Sequence, residues 1–111
     1  MKLQTNMELD AEQQERFLKQ ASATTAEALG KPENYVMVVL ETQQSMSFAG
    51  TTDPLAYVEF KSIGLPEAKT PAFSDTLCSL IHSSLDIAKN RIYIEFSDAP
   101  RAMWGWDGRT F

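Results

Sequence analysis

Leu29-Gly-Lys-Pro-Glu-Asn-Tyr-Val-Met-Val-Val-Leu40 is answered 56 residues later by Leu85-Asp-Ile-Ala-Lys-Asn-Arg-Ile-Tyr-Ile-Glu-Phe96. Leu29 matches Leu85, Asn34 matches Asn90, Val36 matches Ile92, Val38 matches Ile94 and Leu40 matches Phe96. Upstream, Phe17 matches Phe73 at the same offset. A repeat that runs without a gap through a helix, the loop after it and the next strand implies a duplicated β-α-β unit, with pseudo-repeats at about residues 1–44 and 55–98 of one domain, 1–111.

Working outward, Leu3, Thr5 and Met7 alternate with polar residues as a short strand, and Asp10 with Gln13 three residues on supplies a helix cap. The helix should begin near Ala11. Phe17, Leu18, Ala21, Thr25, Ala28 and Leu29 make its buried stripe, and Gly30-Lys31-Pro32 ends it. Residues 35–40 are apolar at every position, which predicts a second strand covered on both faces. Residues 55–62 read as a third strand, and Phe73, Leu77, Leu80, Ile81 and Leu85 as a second helical stripe. Residues 91–97 read as the fourth strand.

Crossovers of this kind join parallel strands right-handedly, so both helices belong on one face of a four-stranded sheet, a two-layer α+β (α/β two-layer) fold. A second strand that is apolar on both sides would leave the other face greasy. That predicts an oligomer, because lone soluble chains rarely expose so large a patch.

Composition removes several classes of function. The net charge of −5 and pI near 4.8, with no basic stripe, argue against nucleic acid as a partner. The longest apolar run is far too short to span a bilayer, and Met1-Lys2-Leu3 leads into polar residues, so no membrane partner and no signal peptide are expected. Cys78, the sole cysteine, reads as a small buried hydrophobe in a reducing compartment.

No Gly-rich phosphate loop occurs, and a single histidine cannot build a metal cluster or a Ser-His-Asp set, so metal and nucleophile-triad enzymes are set aside. His82 lies off its helix stripe and reads as a solvated residue. Lys31 has two readings, a cation complementing a helix C-terminus or a cation at a pocket mouth that holds a carboxylate. Trp104, Trp106 and Phe111 plug a core or an interface, or else wall a pocket. Tyr93 and Glu95 alternate with Ile92, Ile94 and Phe96 and so point away from the helices, toward the oligomer interface.

The order and spacing of many short segments resemble the macrophage migration inhibitory factor family, including the D-dopachrome tautomerases. These are Thr5-Asn6, Leu29-Gly-Lys-Pro32, Tyr35-Val-Met37, Met46-Ser-Phe48, Gly50, Asp53-Pro54, Ser62-Ile-Gly64, Arg91-Ile-Tyr93, Gly105-Trp106, Gly108 and Thr110-Phe111. The resemblance covers essentially the whole chain. It implies a homotrimer whose sheets wrap a central channel. It also implies a keto-enol tautomerase acting on aryl pyruvates such as phenylpyruvate, with no metal or cofactor and with an N-terminal proline amine as general base. An apolar pocket beside a cation lowers the pKa of such an amine, which in water is near ~8.

By the same resemblance Lys31 matches the lysine beside that amine, and Ile63 the residue whose backbone N–H helps hold the substrate. Tyr35, Trp106 and Phe111 match pocket residues, and Tyr93 one that reaches in from a neighbouring subunit. Glu95 stands where close relatives carry asparagine, placing a negative charge near a site for an anion. Trp104 replaces a smaller aliphatic residue and narrows the pocket. Leu55 and Val58 stand at the Cys-x-x-Cys of some members, which excludes a thiol-disulfide role.

The family proline lies six residues before the Thr of Thr-Asn, whereas Met1 lies four before Thr5 and no proline is present there. At strand rise, two residues displace the amine by about 6 to 7 Å, too far for proton transfer. The expectation is a poor or inactive tautomerase unless residues precede Met1. The alternative is a catalytically impaired trimeric binding or cytokine-like signalling module with a protein partner. The expected location is cytoplasmic, with secretion, if any, by a leaderless route.

Overall fold

The computed structural model describes all 111 residues. Strand β1 (Lys2–Thr5) leads into helix α1 (Ala11–Leu29) and strand β2 (Val39–Glu41), and β3 (Ala56–Ile63) leads into α2 (Thr70–Leu85) and β4 (Ile92–Ala99). A hairpin of β5 (Gly105–Trp106) and β6 (Arg109–Thr110) follows. The first four strands form one sheet in the order β2-β1-β3-β4. Within it β1 is parallel to β2 and β3 to β4, while the central pair, β1 and β3, is antiparallel. Each helix therefore bridges a parallel pair, as a β-α-β unit requires.

Both helices pack on one side of this sheet. Phe17 and Ala21 from α1 and Phe73, Leu77 and Ile81 from α2 share a single core with Leu3, Val58 and Phe60 of the sheet. Ser84 Oγ donates to Gln20 Oε1 at 2.9 Å, joining the two helices at their surface. The expected two-layer α+β architecture is the observed one.

The ends of α1 follow from its sequence. The Asp10 carboxylate accepts the Gln13 N–H at 2.7 Å while Gln13 Oε1 accepts the Asp10 N–H at 3.0 Å, a reciprocal cap that satisfies two otherwise orphaned donors. Gly30 then takes the left-handed conformation, φ 64°, in which a side chain would be strained. Asp86 closes α2 at φ 56°, and the 3₁₀ turns Glu33–Tyr35 and Lys89–Arg91 follow the two caps at the same 56-residue offset. The Thr5-Asn6 pair fastens β1 to the start of β3. Thr5 Oγ1 donates to the Leu55 carbonyl at 2.7 Å, and Asn6 Oδ1 accepts the Leu55 N–H at 3.1 Å.

The second strand differs from expectation. Residues 35–40 do not form one strand buried on both faces. Pro32 opens a 3₁₀ turn that holds Tyr35, and only Val39–Glu41 pairs in the sheet. Val38 and Leu40 pack on the core, whereas Tyr35 is 54% and Met37 76% exposed. Nor is the far face of the sheet a continuous apolar patch. Glu41 pairs with Lys2 at 3.5 Å and accepts from Gln4 at 2.7 Å, Lys61 lies 3.9 Å from Glu59, and Tyr57 donates to Glu95. This face is instead a polar lattice with a few aromatic members, without the continuous apolar patch from which an oligomer was expected.

Candidate active site

A cleft of about 1060 Å³ opens where the C-terminal end of α1 meets the ends of β3 and β4 and the final hairpin. Each side reaches it for a local reason. Gly30 turns the chain out of α1, and the Lys31 N–H caps the helix by donating to the Ala26 carbonyl at 3.0 Å. The Lys31 side chain does not stay with the helix end. Its ammonium crosses to the end of β3, donating to Ser62 Oγ at 2.8 Å and to the Ile63 carbonyl at 2.7 Å. Backbone and side chain therefore divide the two roles that the sequence allows, one capping the helix and the other facing the cleft.

An aromatic cluster forms the opposite wall. Trp106 stacks on Phe111, with centroids 5.7 Å apart and planes 18° apart, and Tyr35 meets both rings edge-on at 5.7 and 5.8 Å. The hairpin that carries Trp106 turns through Asp107-Gly108, both at positive φ, and the Phe111 N–H closes it by donating to the Trp104 carbonyl at 3.2 Å. Trp104 also lines the cleft. The structure thus brings Lys31, Ile63, Tyr35, Trp104, Trp106 and Phe111 together.

Tyr93 and Glu95 lie elsewhere, on the far face of the sheet. Tyr93 is 65% exposed and packs its ring on Phe48 at 4.5 Å, and Glu95 accepts from Tyr57. That hydrogen bond, followed by desolvation and the charges of Glu95 and Glu59, pushes the Tyr57 phenol up to about 12. Neither residue enters the cleft of its own chain.

The cleft lining carries more cations than carboxylates. Lys2, Lys31, Lys61 and Arg101 face it against two carboxylates, Glu59 and Asp98, although the chain as a whole is acidic. Neither Lys31 nor Arg101 has a carboxylate partner. The Met1 amine sits at the β2 side, donating to the Met37 carbonyl at 2.9 Å, and burial pulls its pKa below the ordinary 8.0. No three His, Cys, Asp or Glu side chains gather as a metal site would require. Ser62, read from sequence only as part of a resembling segment, and Arg101 also line the cleft. Ser62 left a trace, a hydroxyl at the core-facing step after Ala56, Val58 and Phe60, whereas only folding places Arg101.

The family profile described as macrophage migration inhibitory factor (MIF) matches residues 1–111. The chain belongs to the macrophage migration inhibitory factor family. The MIF homolog of Brugia malayi is 43% identical over 96 residues, covering 86% of this chain and 84% of that protein. The MIF of Rattus norvegicus is 39% identical over 98 residues, covering 87% and 85%. Among solved structures, the MIF homologue of Prochlorococcus marinus superposes with a TM-score of 0.93 at 42% identity, over 99% of this chain and 96% of that one. The MIF of Trichinella spiralis superposes at 0.89 with 34% identity, over 99% and 97%. Family membership agrees with the resemblance carried by the short segments, and no helix is long and apolar enough to cross a membrane.

Proposed function

We propose that the cleft is the site of a keto-enol tautomerase acting on aryl pyruvates of the phenylpyruvate type. The observation that carries this reading is the meeting of an ammonium without a carboxylate partner, Lys31, with the stacked Trp106 and Phe111 in one open cleft. Lys31 takes the substrate carboxylate, the Ile63 backbone helps hold the oxygen beside it, and the aryl ring packs on the aromatic wall. Ketonisation then asks for one proton at C3 of the enol while the enol O–H gives one up. In this reading the base is a neutral N-terminal amine two strand residues beyond the place of Met1, and burial of the kind that lowers the Met1 amine pKa favours its neutral form. No metal or cofactor takes part in this scheme.

The working unit in this reading is a homotrimer, in which Tyr93 and Glu95 belong to the cleft of a neighbouring copy and Glu95 adjusts substrate preference by its charge. A cytoplasmic setting suits the single, half-buried Cys78 thiol. One observation favours a second reading, a trimeric binding or signalling module with a protein partner and impaired catalysis. The Met1 amine is already engaged by the Met37 carbonyl.

An enol-phenylpyruvate ketonisation assay separates the two readings. It compares a polypeptide that begins at Met1 with one extended by two residues and opening with proline. The extended form should turn over roughly a hundredfold or more faster, the scale of a correctly placed general base. Phenylpyruvate binding without turnover by either form would favour the binding module. Absence of binding by both would overturn the site assignment.

A further inference from the structure

Ser62 stands at an unusual place. Along β3 the core-facing positions are Ala56, Val58, Phe60 and then Ser62, so a hydroxyl occupies a step where the alternation calls for a hydrocarbon. It is 5% exposed, one of three buried polar residues in the chain. A buried hydroxyl needs partners, and here it accepts from the Lys31 ammonium at 2.8 Å and donates to the Ile63 carbonyl at 3.4 Å. The Ile63 carbonyl, the next acceptor along the strand, completes the arrangement at 2.7 Å.

We propose that Ser62 is a positioning residue for substrate binding, resting on the tautomerase reading above. Together with the Ile63 carbonyl it forms a two-point socket that fixes the orientation of the Lys31 ammonium. An ammonium carries three donors. Two are spent on the socket, and fixing them fixes the third, which is left for a carboxylate in the cleft. A lysine without the socket would sweep its charge through a flexible four-carbon stem, and binding an anion would then have to freeze that motion. The hydroxyl is well suited to this work, because it accepts without adding charge and so leaves the ammonium positive toward the ligand. A carboxylate at the same step would neutralise the cation that the cleft presents.

The test uses Ser62→Ala and Ser62→Thr in the full chain. Two readouts are needed: phenylpyruvate binding, followed by the fluorescence of Trp104 and Trp106, and the ¹⁵N-detected Lys31 ammonium signal in the free protein. Ser62→Ala should weaken phenylpyruvate binding roughly tenfold, the scale of one charge-assisted hydrogen bond, and speed proton exchange at the ammonium. Ser62→Thr keeps the hydroxyl on a residue that suits a strand and should restore both. A purely structural role would shift the melting temperature and leave the ammonium signal alone.

Unchanged binding and an unchanged ammonium signal in a folded Ser62→Ala variant would overturn the proposal and leave the tautomerase reading standing. If the unsubstituted protein fails to bind phenylpyruvate while Ser62→Ala still frees the ammonium, the socket is upheld and the tautomerase reading falls instead.

Discussion

Lys31 shows how one residue can answer to two parts of a fold. Its N–H ends α1 and its ammonium serves the cleft, so the side chain can be removed without uncapping the helix. Lys31→Ala should therefore lower phenylpyruvate affinity roughly tenfold or more, because a lost charge-assisted contact is worth about 1.5–3 kcal/mol, and should lower the melting temperature as well, because the buried Ser62 hydroxyl loses its donor. Fluorescence titration and thermal unfolding of one preparation check both halves. On the far face, Tyr57 makes a separate case. Its raised pKa means that the neutral phenol is favoured while Glu95 is ionised. Any stability this contributes is present below the ordinary value of 10.0 and lost as pH rises through about 12. Glu95→Gln removes the charge, and the Tyr57 ionisation should move down toward that ordinary value in an absorbance titration.

At the scale of elements, the two helix caps offer a matched pair of substitutions. Gly30→Ala places a side chain at φ 64° and should destabilise by about 1 kcal/mol, whereas Asp86→Gly relieves the same conformation at φ 56° and should stabilise by about 0.5–1 kcal/mol. Chemical denaturation of the three proteins checks the opposite signs. The limits of α1 were legible because capping is local, with Asp10, Gln13 and Gly30 acting within a few residues of themselves. The reach of β2 was not. An unbroken apolar run reads as a strand hidden on both sides, but Pro32 fixes the chain in a turn, and Tyr35 is directed to the aromatic wall of the cleft. The final hairpin was not legible either, because the two-residue strands beside Asp107-Gly108 are too short to show alternation. Of the residues lining the cleft, Lys31, Trp104, Trp106 and Phe111 carried a pocket reading of their own, whereas Ile63 and Tyr35 entered only through segment resemblance. Arg101 had no local mark, because its place depends on where β4 ends relative to α1.

For the molecule as a whole, charge is distributed against its own average. A chain of net −5 turns four cations and two carboxylates toward its cleft, so anions are repelled at long range and drawn in close to the mouth. Arg101→Glu should weaken phenylpyruvate binding severalfold at low salt and by less at high salt, where screening has already removed part of the attraction. Titrations at two ionic strengths measure the difference. At the other end of the sheet, Arg91 gathers the Phe48, Thr51, Asp53 and Pro54 carbonyls at 3.0–3.3 Å. Arg91→Ala should speed amide exchange across residues 48–54. All four acceptors are main-chain oxygens, so acid has nothing there to protonate. Surface ion pairs such as Lys2 with Glu41 weaken as salt screens them, but this buckle should stay fastened until the entire chain lets go.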